Sequence, residues 1–389
     1  MPCARSRARA RGRRAAVSET RQISKLGMPK WGLSMTEGTV VQWLVEEGAE
    51  LGSGDEVVEV ESEKINNAVE TPTGGVLRRR VAREGEVLPI GGLLGVIAPA
   101  DIPDAEIDSF VEEFQESFDP EEAAEAGGPE PETVEVGGRR IQYLRMGDGA
   151  VPLVLIPGFG GDINIFVFNQ EVLSEDRTVY ALDMPGHGGS SKDVGDGDLD
   201  FFVGVLAGFL DALGVEKAHL AGHSMGGAIA GAFALAHPER VASLVLLASA
   251  GLGEEINAEY IEGFIAANRR KDMRRVLQLL FADPELVTRQ LVNDQLQYKR
   301  KDGVDEALRT IADKHFPDGR QAGVSDLSGT GVPILAVWGR EDEIVPAAHA
   351  ENLPEHAWVE ILDGKGHMVQ MEAAGPTNRL ISGFLDGLA

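Results

Sequence analysis

Two places in this chain have the residue types and spacing for chemistry. In Gly222-His223-Ser224-Met225-Gly226, glycines two positions either side of a serine permit a sharp strand-to-helix turn that exposes the hydroxyl from a strained backbone conformation. An acid and a base follow it. Asp342 comes directly after an apolar run, in Trp338-Gly339-Arg340-Glu341-Asp342-Glu343-Ile344-Val345-Pro346, and His367 sits in Gly364-Lys365-Gly366-His367-Met368, where glycines loosen a loop so that an imidazole can reach a neighbour. The order Ser, Asp, His, with an apolar strand before the serine and an Ala-rich helix from Ala228 to His237 after it, favours a nucleophile over a serine that merely caps a helix. Glu341 and Glu343 make the Asp342 loop acidic throughout, so a turn-forming aspartate is the competing reading there. His219 and His223 are poorer bases, the first belonging to the strand pattern and the second flanking the serine inside the turn. The second place is Glu61-Ser62-Glu63-Lys64-Ile65. A lysine in a turn is usually a solvated surface group, so the meaning of Lys64 depends on the elements around it.

Those elements form a repeat. Residues 38–60 and 75–97 superimpose at a constant offset, pairing Gly38 with Gly75, Val40 with Leu77, Gly48 with Gly85, Gly54 with Gly91 and Val60 with Ile97. Apolar and polar residues alternate between glycine-containing turns, as in Val57-Val58-Glu59-Val60, which predicts short half-buried strands in two similar half-sheets. Lys64 joins the halves at an exposed turn. Farther on, Leu153-Val154-Leu155-Ile156, Thr178 to Leu182, Ala218 to Ala221, Ser243 to Leu247 and Pro333 to Trp338 are apolar runs separated by helix-length segments. That pattern predicts a mostly parallel sheet covered on both faces, with functional residues at the strands' C-terminal ends.

Composition bounds what these units can do. A chain of 389 residues exceeds a usual single domain, and a net charge of −27 argues for a soluble protein and against binding nucleic-acid phosphates. Cys3 is the only cysteine, so no intrachain disulfide can form and a reducing compartment, the cytoplasm, is expected. No apolar stretch approaches a membrane span, and no metal site is expected. The first sixteen residues hold six arginines and no acid; residues 1–22 are expected to be a disordered tail, compatible with a presequence, a basic tail or a mis-assigned start. Asp101 to Glu135 contains fourteen acidic residues and no lysine or arginine. Self-repulsion predicts that residues 100–132 form an extended or only transiently helical linker.

The first half, residues 23–99, resembles the lipoyl domain of 2-oxo-acid and acetoin dehydrogenase complexes, a flattened all-β barrel. The resemblance rests on the repeat and on Met28-Pro29-Lys30-Trp31-Gly32-Leu33-Ser34-Met35-Thr36-Glu37-Gly38. It implies that Lys64 carries lipoate. Biotinyl domains share the symmetry, but the usual Ala-Met-Lys-Met tip is replaced here by Ser62-Glu63-Lys64-Ile65. Residues 133–389 resemble the α/β-hydrolase family on the elbow, the ordered partners and Asp183-Met184-Pro185-Gly186-His187-Gly188-Gly189-Ser190. That resemblance implies a Ser224–Asp342–His367 triad and an oxyanion hole from the backbone N–H groups of Phe159 and Met225. Where the family often has His-Gly, this chain has Pro157-Gly158. An insertion at about residues 252–330, rich in helix formers, reads as a helical cap over the site.

Together the halves resemble the acetyltransferase subunits of acetoin dehydrogenase complexes. The resemblance implies an acetyl group carried on lipoyl-Lys64 and passed to coenzyme A, with a thiamine-diphosphate-dependent E1 component and a dihydrolipoamide dehydrogenase, E3, as partners. The His-x-x-x-Asp-Gly motif of the usual acyltransferase domain is absent, as is a basic helical subunit-binding domain; a homo-oligomer is an open expectation. Two other readings stand beside it. One is an ester, thioester or C–C bond hydrolase fused to a lipoyl domain. The other is a carrier whose hydrolase-like half is only a scaffold, against which the intact Ser224, Asp342 and His367 set speaks.

Overall fold

The computed structural model describes residues 23–388 other than 32–34, 53, 63–65, 72 and 121–128. The N-terminal tail and Lys64 therefore lie outside the described residues. Strands β1 (Ser24–Gly27), β2 (Glu37–Trp43), β3 (Glu50–Leu51), β4 (Glu56–Glu61), β5 (Asn66–Glu70), β6 (Gly75–Arg80), β7 (Val87–Pro89) and β8 (Leu93–Ala98) form two four-stranded antiparallel sheets, β1-β8-β6-β3 and β5-β4-β2-β7. The sheets share one plan, with β2, β3 and β4 repeated as β6, β7 and β8. Even the irregularities repeat: the register slips between Val40 and Gln42 in one sheet and between Leu77 and Arg79 in the other. Alternation buries one face, including Val40, Val58, Val60, Leu77 and Ile97.

The acidic segment departs from the expected linker. Asp104–Ser117 is a helix, α1, with Ile107, Phe110, Val111 and Phe114 packed towards Leu93, Val96 and Ala98 of β8. Two physical causes override the charge. The apolar residues recur at helical spacing, and the carboxylates have basic partners: Arg78 donates to Asp104 at 2.7 Å and Arg79 to Asp108 at 2.8 Å.

The second unit is an α/β-hydrolase fold around an eight-stranded sheet. Its strands are β9 (Glu132–Val136), β10 (Arg139–Met146), β11 (Leu153–Ile156), β12 (Val179–Leu182), β13 (Ala218–His223), β14 (Val241–Leu247), β15 (Ile334–Gly339) and β16 (Trp358–Leu362), in the order β16-β15-β14-β13-β11-β12-β10-β9. From β12 to β16 neighbours run parallel, while β10 pairs antiparallel with β9 and β12. Central strands such as β15 are buried along their whole length because helices cover both faces. Phe202, Phe209 and Phe233 lie in the core on one side, and Phe166, Ile381 and Leu385 in that on the other.

The expected cap is present. Helices Ala258–Ala266, Arg270–Gln278, Arg289–Lys299 and Val304–His315 lie between β14 and β15. Buried Lys299 ties two of them together, donating to the carbonyls of Phe264 (2.9 Å) and Ala267 (3.0 Å) at the end of the first cap helix.

Candidate active site

Ser224 occupies the turn between β13 and the helix Met225–Ala236 with φ 53° and ψ −120°, a positive-φ conformation that a non-glycine residue adopts only under constraint. The constraint is local packing. A Cβ at position 222 would stand 2.3 Å from the Gly226 carbonyl oxygen, and one at 226 would stand 2.1 Å from that of Ile156. Both flanking glycines are therefore required by close backbone approach. The serine ends almost buried, with 7% of its surface exposed, beneath a largely apolar pocket lined by Phe159, Tyr260, Phe264, Leu280, Phe281 and Met368 among others.

The loops after β15 and β16 bring Asp342 and His367 together. His367 Nδ1 lies 2.9 Å from Asp342 Oδ2, and both side chains are buried. Asp342 Oδ1 accepts from the backbone N–H groups of Ile344 (2.8 Å) and Val345 (2.9 Å), so the carboxylate is held on both edges. With Nδ1 donating to Asp342, Nε2 is the imidazole nitrogen left for Ser224, which shares the pocket. Phe159 follows β11 and lines the same pocket; Met225 is the first helical residue after Ser224. Thus Ser224, His367 and Phe159 converge on one cavity, Asp342 stands behind His367, and Met225 adjoins the serine.

Two residues named in the sequence, His223 and Asp183, make supporting contacts that sequence reasoning did not foresee. His223 Nε2 lies 3.1 Å from the His367 carbonyl and the two rings stand 4.7 Å apart. Burial first, and then the neighbouring His367, hold the pKa of His223 well below its ordinary value, so the ring is neutral and donates to that carbonyl. The turn that holds Ser224 thus braces the loop that bears His367, through that loop's backbone. Asp183 ties the loops after β11 and β12: it accepts from Ile163 N at 2.8 Å, Gly189 N at 2.7 Å and Gln142 Nε2 at 3.0 Å. Complete burial pushes its pKa up to about 7. The motif beginning at Asp183 was legible, but its bracing role depends on partners distant in sequence.

Lys64 falls outside the described residues, in the connection between β4 and β5, which pair Glu61 with Asn66. Among the described residues no cluster of His, Cys, Asp or Glu is arranged to hold a metal, and no helix is long and apolar enough to cross a membrane.

Residues 151–374 match the alpha/beta hydrolase fold family, and residues 24–97 match the biotin/lipoyl family of biotin-requiring enzymes. The chain is 50% identical over 367 residues, 94% of its length and 99% of the relative's, to the dihydrolipoyllysine-residue acetyltransferase component of the acetoin cleaving system of Pseudomonas putida. It is 45% identical to the same component of Cupriavidus necator, covering 94% of this chain and 98% of that one. Among solved structures, it is similar to a mutant meta-cleavage product hydrolase from Pseudomonas fluorescens IP01 complexed with acetates, with TM-score 0.61 and 27% identity over 66% of this chain and 98% of the other.

Proposed function

We propose a route for an acetyl group through this chain, on the premise that it belongs to the family of dihydrolipoyllysine-residue acetyltransferase components of acetoin cleaving systems. Lys64, in the connection closed by the Glu61–Asn66 pair, suits a covalently held lipoate; when bound, that group supplies the thiol carrying acetyl as a thioester. Ser224 Oγ attacks the acetyl carbonyl while His367 takes its proton, and Asp342 fixes the imidazole tautomer. The carbonyl oxygen gathers charge against the N–H groups of Phe159 and Met225, each worth about 3 kcal/mol of barrier. As the carbon–sulfur bond breaks, His367 returns the proton to the departing sulfur and an acetyl-serine remains. The coenzyme A thiol then loses its proton to His367 and attacks the acetyl-serine. A new thioester forms and Ser224 Oγ is reprotonated. No oxidant is consumed.

The observation that carries this reading is the His367–Asp342 contact of 2.9 Å behind Ser224, in a pocket walled mainly by apolar groups that disfavour water as acceptor. Upstream, a thiamine-diphosphate-dependent E1 would load acetyl, and downstream E3 would reoxidise the dithiol, with the cytoplasm as the compartment. The likeness to a meta-cleavage product hydrolase supports a second reading in which water takes the acyl group. Purified lipoylated protein incubated with acetyl-CoA and dihydrolipoamide separates the two. S-acetyldihydrolipoamide, lost in Ser224→Ala, is the expected product; acetate alone would replace transfer with hydrolysis.

A further inference from the structure

The lipoyl domain forms part of the pocket it is proposed to feed. Trp31, between β1 and β2, is 8% exposed and lines the cavity with Ser224 and His367. Its ring meets that of Phe168, from the hydrolase unit, edge to face, with centroids 5.0 Å apart and planes at 78°. A polar contact stands on the helix Ala374–Asp386. Arg379 Nη1 donates to the Gly54 carbonyl at 2.8 Å and lies 4.0 Å from the Glu70 carboxylate. Gly375 precedes Arg379 by four residues, on the same helical face, and its missing side chain makes room: a Cβ there would come within 1.5 Å of Glu70 Oε1.

These two contacts rest on one support. Asn378 donates to the Phe168 carbonyl at 2.9 Å and accepts from Asn169 at 2.8 Å, so the segment bearing Phe168 and the helix bearing Arg379 are tied together. Trp31 supplies a large, rigid apolar surface with few rotamers to order, as suits a wall that excludes water. The polar contacts are few and partly exposed, Arg379 at 53% and Glu70 at 21% of their side-chain surface, so the seat is suited to release as well as capture. Residues 118–131, between α1 and β9, span at most on the order of 50 Å when extended, which keeps the domain at high effective concentration beside the seat.

Resting on the acetyl-transfer reading, we propose that the lipoyl domain docks in cis on a seat formed by Phe168, Gly375 and Arg379. In the docked state Trp31 is a positioning residue that closes the acyl pocket over Ser224 while acetyl passes from the chain's own lipoyl group. Lift-off then opens the pocket to the coenzyme A thiol. Trp31 touches the cavity wall and takes no proton or acyl group itself.

The test uses full-length lipoylated protein. After a phosphine has reduced its lipoyl group to the dithiol and has been removed, acetylation of that dithiol by acetyl-CoA is followed in single turnover by intact mass, and 4-nitrophenyl acetate hydrolysis reports the serine machinery alone. Docking is read separately by hydrogen exchange of residues 374–386. The wild-type rate is expected to stay constant on tenfold dilution. Arg379→Glu, which faces Glu70 with like charge, should slow lipoyl acetylation on the order of tenfold and raise exchange in the helix while leaving ester hydrolysis unchanged. The swap Glu70→Arg with Arg379→Glu should restore both. Trp31→Ala should slow lipoyl acetylation and release more acetate, and Trp31→Phe should recover most of the rate. A wild-type rate that rises with protein concentration overturns docking in cis, as does wild-type behaviour of Arg379→Glu in both rate and exchange. Full-rate acetylation in Trp31→Ala removes Trp31 from the inference. Protected exchange without any lipoyl acetylation would leave the seat standing and sink the transfer reading instead.

Discussion

Asp342→Asn separates orientation of the base from stability of its loop. In the native site Oδ1 accepts two backbone N–H groups and Oδ2 faces His367 Nδ1 at 2.9 Å. An asparagine placed to keep its oxygen on Ile344 and Val345 turns its NH2 towards His367. The imidazole must then carry its proton on Nε2, which points that proton at Ser224 and abolishes its use as a base. Loss of the correct tautomer is expected to lower kcat for acetyl transfer by about a thousandfold to ten-thousandfold, or about 4–5.5 kcal/mol of barrier. Because both backbone contacts survive, the melting temperature should fall by only a few degrees. Asp342→Ala differs, since it strands two N–H groups and empties a fully buried site; at about 1–3 kcal/mol for each unsatisfied donor, it should lose activity and stability together. Single-turnover transfer and fluorophosphonate labelling of Ser224 measure the activity, and thermal unfolding measures the stability. If Asp342→Asn stays within tenfold of wild-type kcat, the carboxylate does not orient His367 and another group fixes the tautomer.

Three further outcomes are expected. Lys64→Arg should remove the lipoyl mass adduct and acetyl transfer through the protein's own carrier, yet retain ester hydrolysis; an unchanged adduct would place lipoate elsewhere. Limited proteolysis should cut between residues 118 and 131, and the small fragment should retain α1, because Ile107 and the Arg78–Asp104 pair hold that helix on the lipoyl sheet; cleavage before Asp104 would contradict that packing. Burial lowers the pKa of His187 to about 4 against an ordinary 6.5. A neutral buried imidazole gives stability that is fully present above pH 6.5 and lost as pH falls towards 4, about 3 kcal/mol for this shift. The raised pKa of Asp183 acts with opposite sign in the same window. The informative quantity is therefore the difference between wild type and His187→Gln, which should narrow by that amount across pH 6.5 to 4 in urea unfolding, and a constant difference would refute the assignment.

The elbow and the repeat were legible in the sequence because both are local. Glycines at 222 and 226 answer to backbone atoms within one turn and its neighbouring strand, and the recurrence of residues 38–60 at 75–97 becomes two sheets with the same strand order and the same bulge. The parallel sheet was readable from its apolar runs, and with it the placement of Asp342 and His367 after strands. What sequence could not decide was which groups meet. Asp342, rather than Glu341 or Glu343, meets His367: one of its oxygens accepts from Ile344 and Val345 while the other faces the imidazole. The acidic segment after Asp101 reads as extended or at most transiently helical, and contact with β8 and two arginines makes Asp104–Ser117 a settled helix. The brace from His223 to His367 and the meetings of Trp31 with Phe168 and Arg379 with Gly54 join residues more than a hundred positions apart. Backbone preference and hydrophobic period act over a few residues, whereas these contacts are set by how finished elements pack, and no short-range pattern encodes them.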